Sequence, residues 1–240
     1  MAFYRTLLLA LAVSSAAAGA YANPIVLYNT GVDTVSTPLA DTTGPDLHYK
    51  VSYGTAIGSY TTTSASAFAV NDNAQFPMNA YWIQSDSQSA WISPFGRNTT
   101  DGSANGFYDY QTTFSLAGLV AGTAMISGRW AADNCGLDIL INGHSTGQAM
   151  SCSGPSNYAP FGGWTSFAIT SDFAAGLNTI DFLVENYAQN GGNPTGLRVE
   201  MSGTASASSS NPPIPEPLTL ALFGSGIAGL ALLRRRKRAG

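Results

Sequence analysis

The feature that most limits this chain is a run of about ten short stretches of alternating apolar and polar residues. None is long enough for an amphipathic helix, and Gly, Asn, Pro and Ser clusters separate them. The stretches are Ile25–Tyr28, Leu47–Tyr53, Phe68–Val70, Ala80–Gln84, Ala90–Ser93 and Phe107–Leu116. They continue with Ala124–Ala132, Leu137–Asn142, Thr165–Thr170, Thr179–Asn186 and Leu197–Ser202. Period-two alternation puts successive side chains on opposite faces of a strand, so one face can be buried and the other wet. Many such runs with turn signals between them predict an all-β, antiparallel sandwich. Ile180, Phe182 and Val184 are expected on one face, and Asp181, Leu183 and Glu185 on the other. Ile126, Gly128 and Trp130 share a face, which assigns Trp130 to the core. Asn142-Gly143 after Leu137–Ile141 is a hairpin-turn signal, because both positions accept positive φ.

The two ends of the chain read differently from its middle. Met1–Ala22 has Arg5, an apolar stretch beginning at Leu7, and Ala20-Tyr21-Ala22 as an A-x-A site. That is the layout of a secretory signal peptide, with a mature start at Asn23. Ala205–Pro213 (Ala-Ser-Ala-Ser-Ser-Ser-Asn-Pro-Pro) carries nothing that builds a core and reads as a linker. Residues 23–204 between them form the expected ectodomain. This body keeps four basic and 13 acidic residues, a formal net charge of −9. Such an acidic surface argues against nucleic acid as a partner and suits neutral glycans or divalent cations.

The last 27 residues, Ile214–Gly240, set the address. Pro215, Glu216 and Pro217 precede Leu218–Leu233, 16 residues without a charge, and then Arg234, Arg235, Arg236, Lys237 and Arg238. As a helix the uncharged run rises about 24 Å, short against a hydrocarbon core of about 30 Å. Snorkelling arginines extend its reach. The cation cluster holds the C-terminus in the cytoplasm, which leaves everything before Pro215 outside the inner membrane. A single membrane helix is therefore expected here. Gly224-Ser225-Gly226-Ile227-Ala228-Gly229 matches G-x-G-x-x-G, but it lacks the preceding strand and βαβ unit of a dinucleotide site.

The order of motif, apolar run and basic cluster resembles the PEP-CTERM sorting signal of bacterial exported proteins. The resemblance implies processing by an exosortase, a membrane-embedded cysteine protease. It also implies transient anchoring in the inner membrane, release to the cell surface or extracellular space, and a host that makes exopolysaccharide.

A second resemblance covers roughly residues 80–205. It rests on Trp91-Ile92-Ser93-Pro94, Tyr108-Asp109-Tyr110, Gly128-Arg129-Trp130-Ala131-Ala132-Asp133-Asn134 and Leu137-Asp138-Ile139-Leu140-Ile141-Asn142-Gly143. Asn178-Thr179-Ile180-Asp181-Phe182 and Thr195-Gly196-Leu197-Arg198-Val199-Glu200 complete it. These segments look like the galactose-binding-like, jelly-roll ectodomains found on many PEP-CTERM proteins. The resemblance implies carbohydrate binding through loops at one end of the sandwich, with a structural calcium nearby in many members. Other members of the group are purely structural.

The chemistry-bearing residues are few. Tyr158, Phe161 and Trp164 in a Gly/Pro-rich loop, with Asn186 and Tyr187 at a strand end, offer the aromatic faces and amides a sugar needs. The alternative is that these rings fold over the edge of the sandwich. Asp133, Asn134 and Asp138 are oxygen donors near a loop, a set that suits calcium or, equally, the capping of turns. Cys135 and Cys152 in an exported segment are expected to form a disulfide. Gly143-His144-Ser145-Thr146-Gly147 matches the G-x-S-x-G nucleophile elbow. No helix signal follows it, and the only histidines, His48 and His144, both precede Ser145, so it reads as a hairpin turn. The function expected is a non-enzymatic, exosortase-sorted surface or matrix protein that contacts exopolysaccharide. The alternatives are a structural matrix protein without a ligand site and, less favoured, a serine hydrolase.

Overall fold

A computed structural model describes residues 22–41, 44–60, 64–95, 103–152, 160–187 and 193–208. Twelve strands carry the described chain. They are β1 (Ala22–Pro24), β2 (Pro45–Ala56), β3 (Ser59–Tyr60), β4 (Ala65–Val70), β5 (Trp91–Ser93) and β6 (Gly106–Ser115). Then come β7 (Met125–Asp133), β8 (Cys135–Ile141), β9 (His144–Ser145), β10 (Thr165–Ile169), β11 (Leu177–Asn186) and β12 (Gly196–Ser206). All pairings are antiparallel, in the order β10-β7-β12-β5-β4-β2-β6-β11-β8-β9, with β1 added to β12 and β3 to β2. The chain is thus the all-β antiparallel sandwich expected of its alternation. Among the described residues no helix is long and apolar enough to cross a membrane. The Leu218–Leu233 run, the sorting motif and residues 1–21 of the expected signal peptide lie outside them, while Ala22, its expected last residue, opens β1.

The sheet curls on itself through β5 and β4, so that β10-β7-β12 faces β2-β6-β11-β8. The core between the layers is aromatic. Trp130 of β7 lies 5.7 Å from Phe182 of β11, and Phe167 of β10 lies 6.1 Å from it, centroid to centroid. Ile180, Phe182 and Val184 are fully buried, as their parity requires. Their neighbours are less wet than alternation alone suggests. Asp181 and Leu183 are buried as well, because β11 runs between β6 and β8 and Gln111 Nε2 donates to Asp181 Oδ1 at 2.7 Å.

Three expected elements differ. Ala80–Gln84 forms a turn, not a strand: the N–H groups of Ala80, Tyr81 and Trp82 all donate to the Pro77 carbonyl. The first strand is Ala22–Pro24; beyond it the chain follows β12 through single bonds such as Ile25 N–H to Gly203 O and Thr30 N–H to Val199 O. The sheet runs to Ser206, with Ala205 buried opposite Asn23, two residues into the stretch read as linker.

Two glycines are required by their surroundings. Gly143 sits at φ 80° after Asn142 at φ 52°, which turns β8 into β9. Gly136 lies under Trp130, where a Cβ would meet the indole at 2.4 Å. Cys135 and Cys152 are joined by a disulfide with Cα atoms 5.9 Å apart. It ties the chain after β9 back to the start of β8.

The sandwich has two unlike ends. At one, which we call the loop end, β2, β5, β7 and β11 finish and β6, β8, β10 and β12 begin. The described residues that flank the β5–β6, β9–β10 and β11–β12 connections lie there. At the opposite end β6, β8 and β10 turn back through shorter connections, and β1 begins beside the end of β12. The chain therefore enters and leaves at that second end, the tether end.

Candidate functional site

The site is built from the strand termini at the loop end. β7 ends at Asp133 and β11 at Asn186, while β12 starts at Gly196. Asp133 Oδ2 accepts a 2.7 Å hydrogen bond from Trp82 Nε1, and its carbonyl accepts one from Thr195 Oγ1. Asn134 Oδ1 accepts from Tyr187 N–H at 2.8 Å, and Asn134 N–H donates to Glu185 O. Trp82 packs beside Trp91 at 4.1 Å, in a second apolar cluster with Val70, Met78 and Ala131. Phe161 and Trp164 pack against that same cluster. One chain of contacts thus links Tyr187, Asn134, Asp133, Trp82, Phe161 and Trp164 across the loop end and onto the outer face of β7 and β12.

The candidate sugar residues fare unequally. Phe161 and Trp164 are half-buried. Trp164 is held by two cations, with Arg129 4.4 Å and Arg198 4.8 Å from its ring centroid. Arg198 is itself buried at 1% exposure. It pairs with Asp86 at 3.0 Å, donates to Ser89 Oγ, and reaches the Gln84 carbonyl and Glu200. Desolvation lowers the Arg198 pKa, and the nearby carboxylates oppose that shift. Trp164 is therefore a lid on an ion cluster, with only part of its ring turned outward. Asn186 is buried at 1%, with Nδ2 on the Ala104 carbonyl and Oδ1 without a partner. Tyr187 is half-buried, and Tyr158 lies outside the described residues.

Two aromatic residues at this surface were not singled out from sequence. Tyr81 is 61% exposed and Phe76 39%, in edge-to-face contact at 5.8 Å. Their loop is closed by its own hydrogen bonds. Besides the Pro77 turn, Asn73 grips Ser85 in both directions, and Ile83 N–H donates to Phe161 O. A Phe-Pro next to amide side chains (Asn73, Gln75, Asn79) was the available signal.

The three donors considered for calcium do not converge. Asp133 is committed to Trp82, and Asn134 to Tyr187. Asp138 faces away on β8, accepting from Ile139 N–H and from the Ser145 hydroxyl. Among the described residues no group of three His, Cys, Asp or Glu side chains is placed to hold a metal ion. These residues do not fit a structural calcium. Ser145 follows a hairpin turn and bonds Asp138, not a histidine, so no nucleophile elbow is assembled.

Two carboxyl groups titrate near neutrality. Burial, and then the Asp181 charge, push Asp109 up to about 7 on the outer face of β6. Burial pushes Asp133 to about 7 although the Trp82 hydrogen bond pulls it down. For both, the folded value lies above the unfolded one of about 3.9. The folded state then holds the proton more tightly. Its stabilisation is complete below about pH 4 and is lost as pH rises through about 7. Urea unfolding midpoints should thus fall between about pH 5 and about pH 8, and less steeply in Asp109→Asn. Equal slopes in both proteins would remove Asp109 from this account.

Comparison with known proteins adds an address and shape likenesses. Residues 213–237 match the PEP-CTERM protein-sorting motif, which marks the chain as an exported protein targeted to exosortase and sorted to the cell surface. No curated protein matches. Similar solved structures include a family 35 carbohydrate-binding module from Clostridium thermocellum, at 15% identity and TM-score 0.30, covering 65% of this chain and 92% of that one. Another is the CBM36-1 domain of a multidomain xylanase from the hindgut metagenome of Trinervitermes trinervoides, at 16% identity and TM-score 0.28, covering 67% and 98%. A family 35 carbohydrate-binding module from an environmental isolate gives 17% identity and TM-score 0.28, covering 66% and 98%.

Proposed function

We propose that this exported protein is a non-enzymatic surface or matrix component that contacts extracellular polysaccharide at its loop end. The observation that carries the reading is the set of aromatic residues mounted there on a hydrogen-bonded, polar-backed support. Tyr81 and Phe76 are open to solvent, and Phe161, Trp164 and Tyr187 are partly so. Apolar faces of pyranose rings stack on such side chains, and hydroxyls find the amides and carbonyls around them. The body is acidic, so a neutral polymer is the better match; an anionic one needs a bridging cation. Contacts made by stacking and hydrogen bonds depend weakly on salt. Each site is shallow, and display of many copies supplies avidity. Exosortase first holds the precursor at the inner membrane through Pro215, Glu216, Pro217 and the Arg234–Arg236 cluster, then releases it.

Affinity electrophoresis of residues 23–208 in gels containing polysaccharide from the host tests this. Retardation is expected, and Tyr81→Ala should weaken it with little loss of stability because the ring is exposed. No retardation by any polysaccharide fraction, with or without calcium, would favour a structural matrix protein with no ligand site.

A further inference from the structure

The tether end has a surface of its own. The β6–β7 connection closes it with Leu116, Ala117, Gly118, Leu119, Val120 and Ala121. From Thr112 to Gly128 there is no charged residue, and in the β10–β11 connection the one charge is the exposed Asp172, five residues before Leu177. Three apolar side chains stand out at this rim: Val120 at 39% exposure, Met125 at 50% and Leu177 at 71%. Backbone bonds gather their segments. Leu116 N–H donates to Gly176 O, Val120 N–H to Ser206 O, and Met125 pairs with Thr204. The departing chain is pinned to the same tip, by the Leu119–Ala207 bridge and by Ser208 N–H on Gly118 O.

What lies beyond Ser208 decides what this tip meets. Ten residues later the chain reaches Leu218, where the 16-residue uncharged run and its arginine cluster begin. Ten residues span at most about 36 Å when extended. If the run sits in a bilayer, the tip is held within that distance of the lipid surface. A tether of only ten residues makes the second contact intramolecular, at an effective concentration in the millimolar range. A weakly apolar tip with a single carboxylate, Asp172, at its rim is then sufficient to dock. We infer that the Leu116–Met125 tip and Leu177 form a lipid-facing surface, on which the unprocessed protein rests with its loop end outward. The inference rests on membrane insertion of the sorting segment. Opposite placement of the two ends then presents the aromatic surface to the exterior while exosortase works at the tether.

The test uses the full chain from Asn23 in vesicles of phosphatidylethanolamine and phosphatidylglycerol, with the Cys135–Cys152 bridge oxidised. An environment-sensitive fluorophore is placed at Ala117→Cys, at the tip, or at Ile57→Cys, in the β2–β3 turn of the loop end. Quenching by headgroup-labelled lipid is read for each. Quenching at Ala117, its absence at Ile57, and its loss when Val120, Met125 and Leu177 are replaced together by Ser are the expected results. Co-flotation with vesicles and no quenching at Ala117, equal quenching at both sites, or no effect of the three serines overturns the lipid-facing tip alone. Failure to co-float overturns membrane insertion and the inference with it.

Discussion

Trp130→Ala is expected to lower stability by about 3–5 kcal/mol, the range for removing a fully buried large aromatic residue. In a domain of this size that is a fall in Tm of roughly 6–20 °C. The indole is 0% exposed, packs on Phe182, and covers the bare backbone of Gly136. Gly136 has no side chain to move into the space left behind, so little of the cavity can be recovered. Trp130 Nε1 makes no hydrogen bond. The loss is one of packing, and Trp130→Phe should restore much of it. Thermal unfolding of residues 23–208 reads both. A Trp130→Ala protein as stable as the parent would remove the interlayer core from this account.

The second large effect is on location. Replacing Arg234, Arg235, Arg236, Lys237 and Arg238 by Ser, or deleting the host exosortase, should leave full-length protein in the inner membrane and none at the surface. The cations fix the topology of the segment, and a segment without them presents Pro215-Glu216-Pro217 on no defined side of the bilayer. The measurement is intact mass and cell fractionation from parent and deletion strains. Unchanged mass and location in the deletion strain would contradict exosortase processing.

What could be read without the structure was whatever depends on local period. The inward face of β11, the burial of Trp130 and the Asn142-Gly143 turn all follow from parity or from backbone preference over a few residues. The sorting signal is a linear motif and is legible for the same reason. The outer layer over β5, β12 and β7 was not legible, because it is made by contacts between distant segments. Arg198 is buried only because Asp86, Ser89 and Gln84 come to it from more than 100 residues away. In sequence Trp164 reads either as a sugar platform or as a ring folded over the sandwich edge, and the choice rests on two guanidinium groups that belong to other strands. Ala80–Gln84 alternates like a strand, yet three of its N–H groups close a turn on Pro77. Asn186 is different. It shares the parity of Ile180, Phe182 and Val184, so its burial was open to inference, and its amide supports the 103–105 segment instead of facing a sugar.

The residues before Ala80 carried little motif signal, but they are integral to the fold. β2 lies between β4 and β6, and Tyr49 is buried with its hydroxyl on the Tyr28 carbonyl. Their composition, rich in Ser, Thr and Gly, is that of many strands and marks no family.

The central claim is that glycan meets this protein at the loop end. The direct measurement is photo-cross-linking with diazirine-bearing fragments of the host polysaccharide, followed by mapping of the adducts by peptide mass spectrometry. Adducts confined to residues 74–82, 153–164 and 186–195 are the predicted result. Adducts spread over the β6 and β11 outer face, or concentrated on the Leu116–Met125 tip, would contradict it.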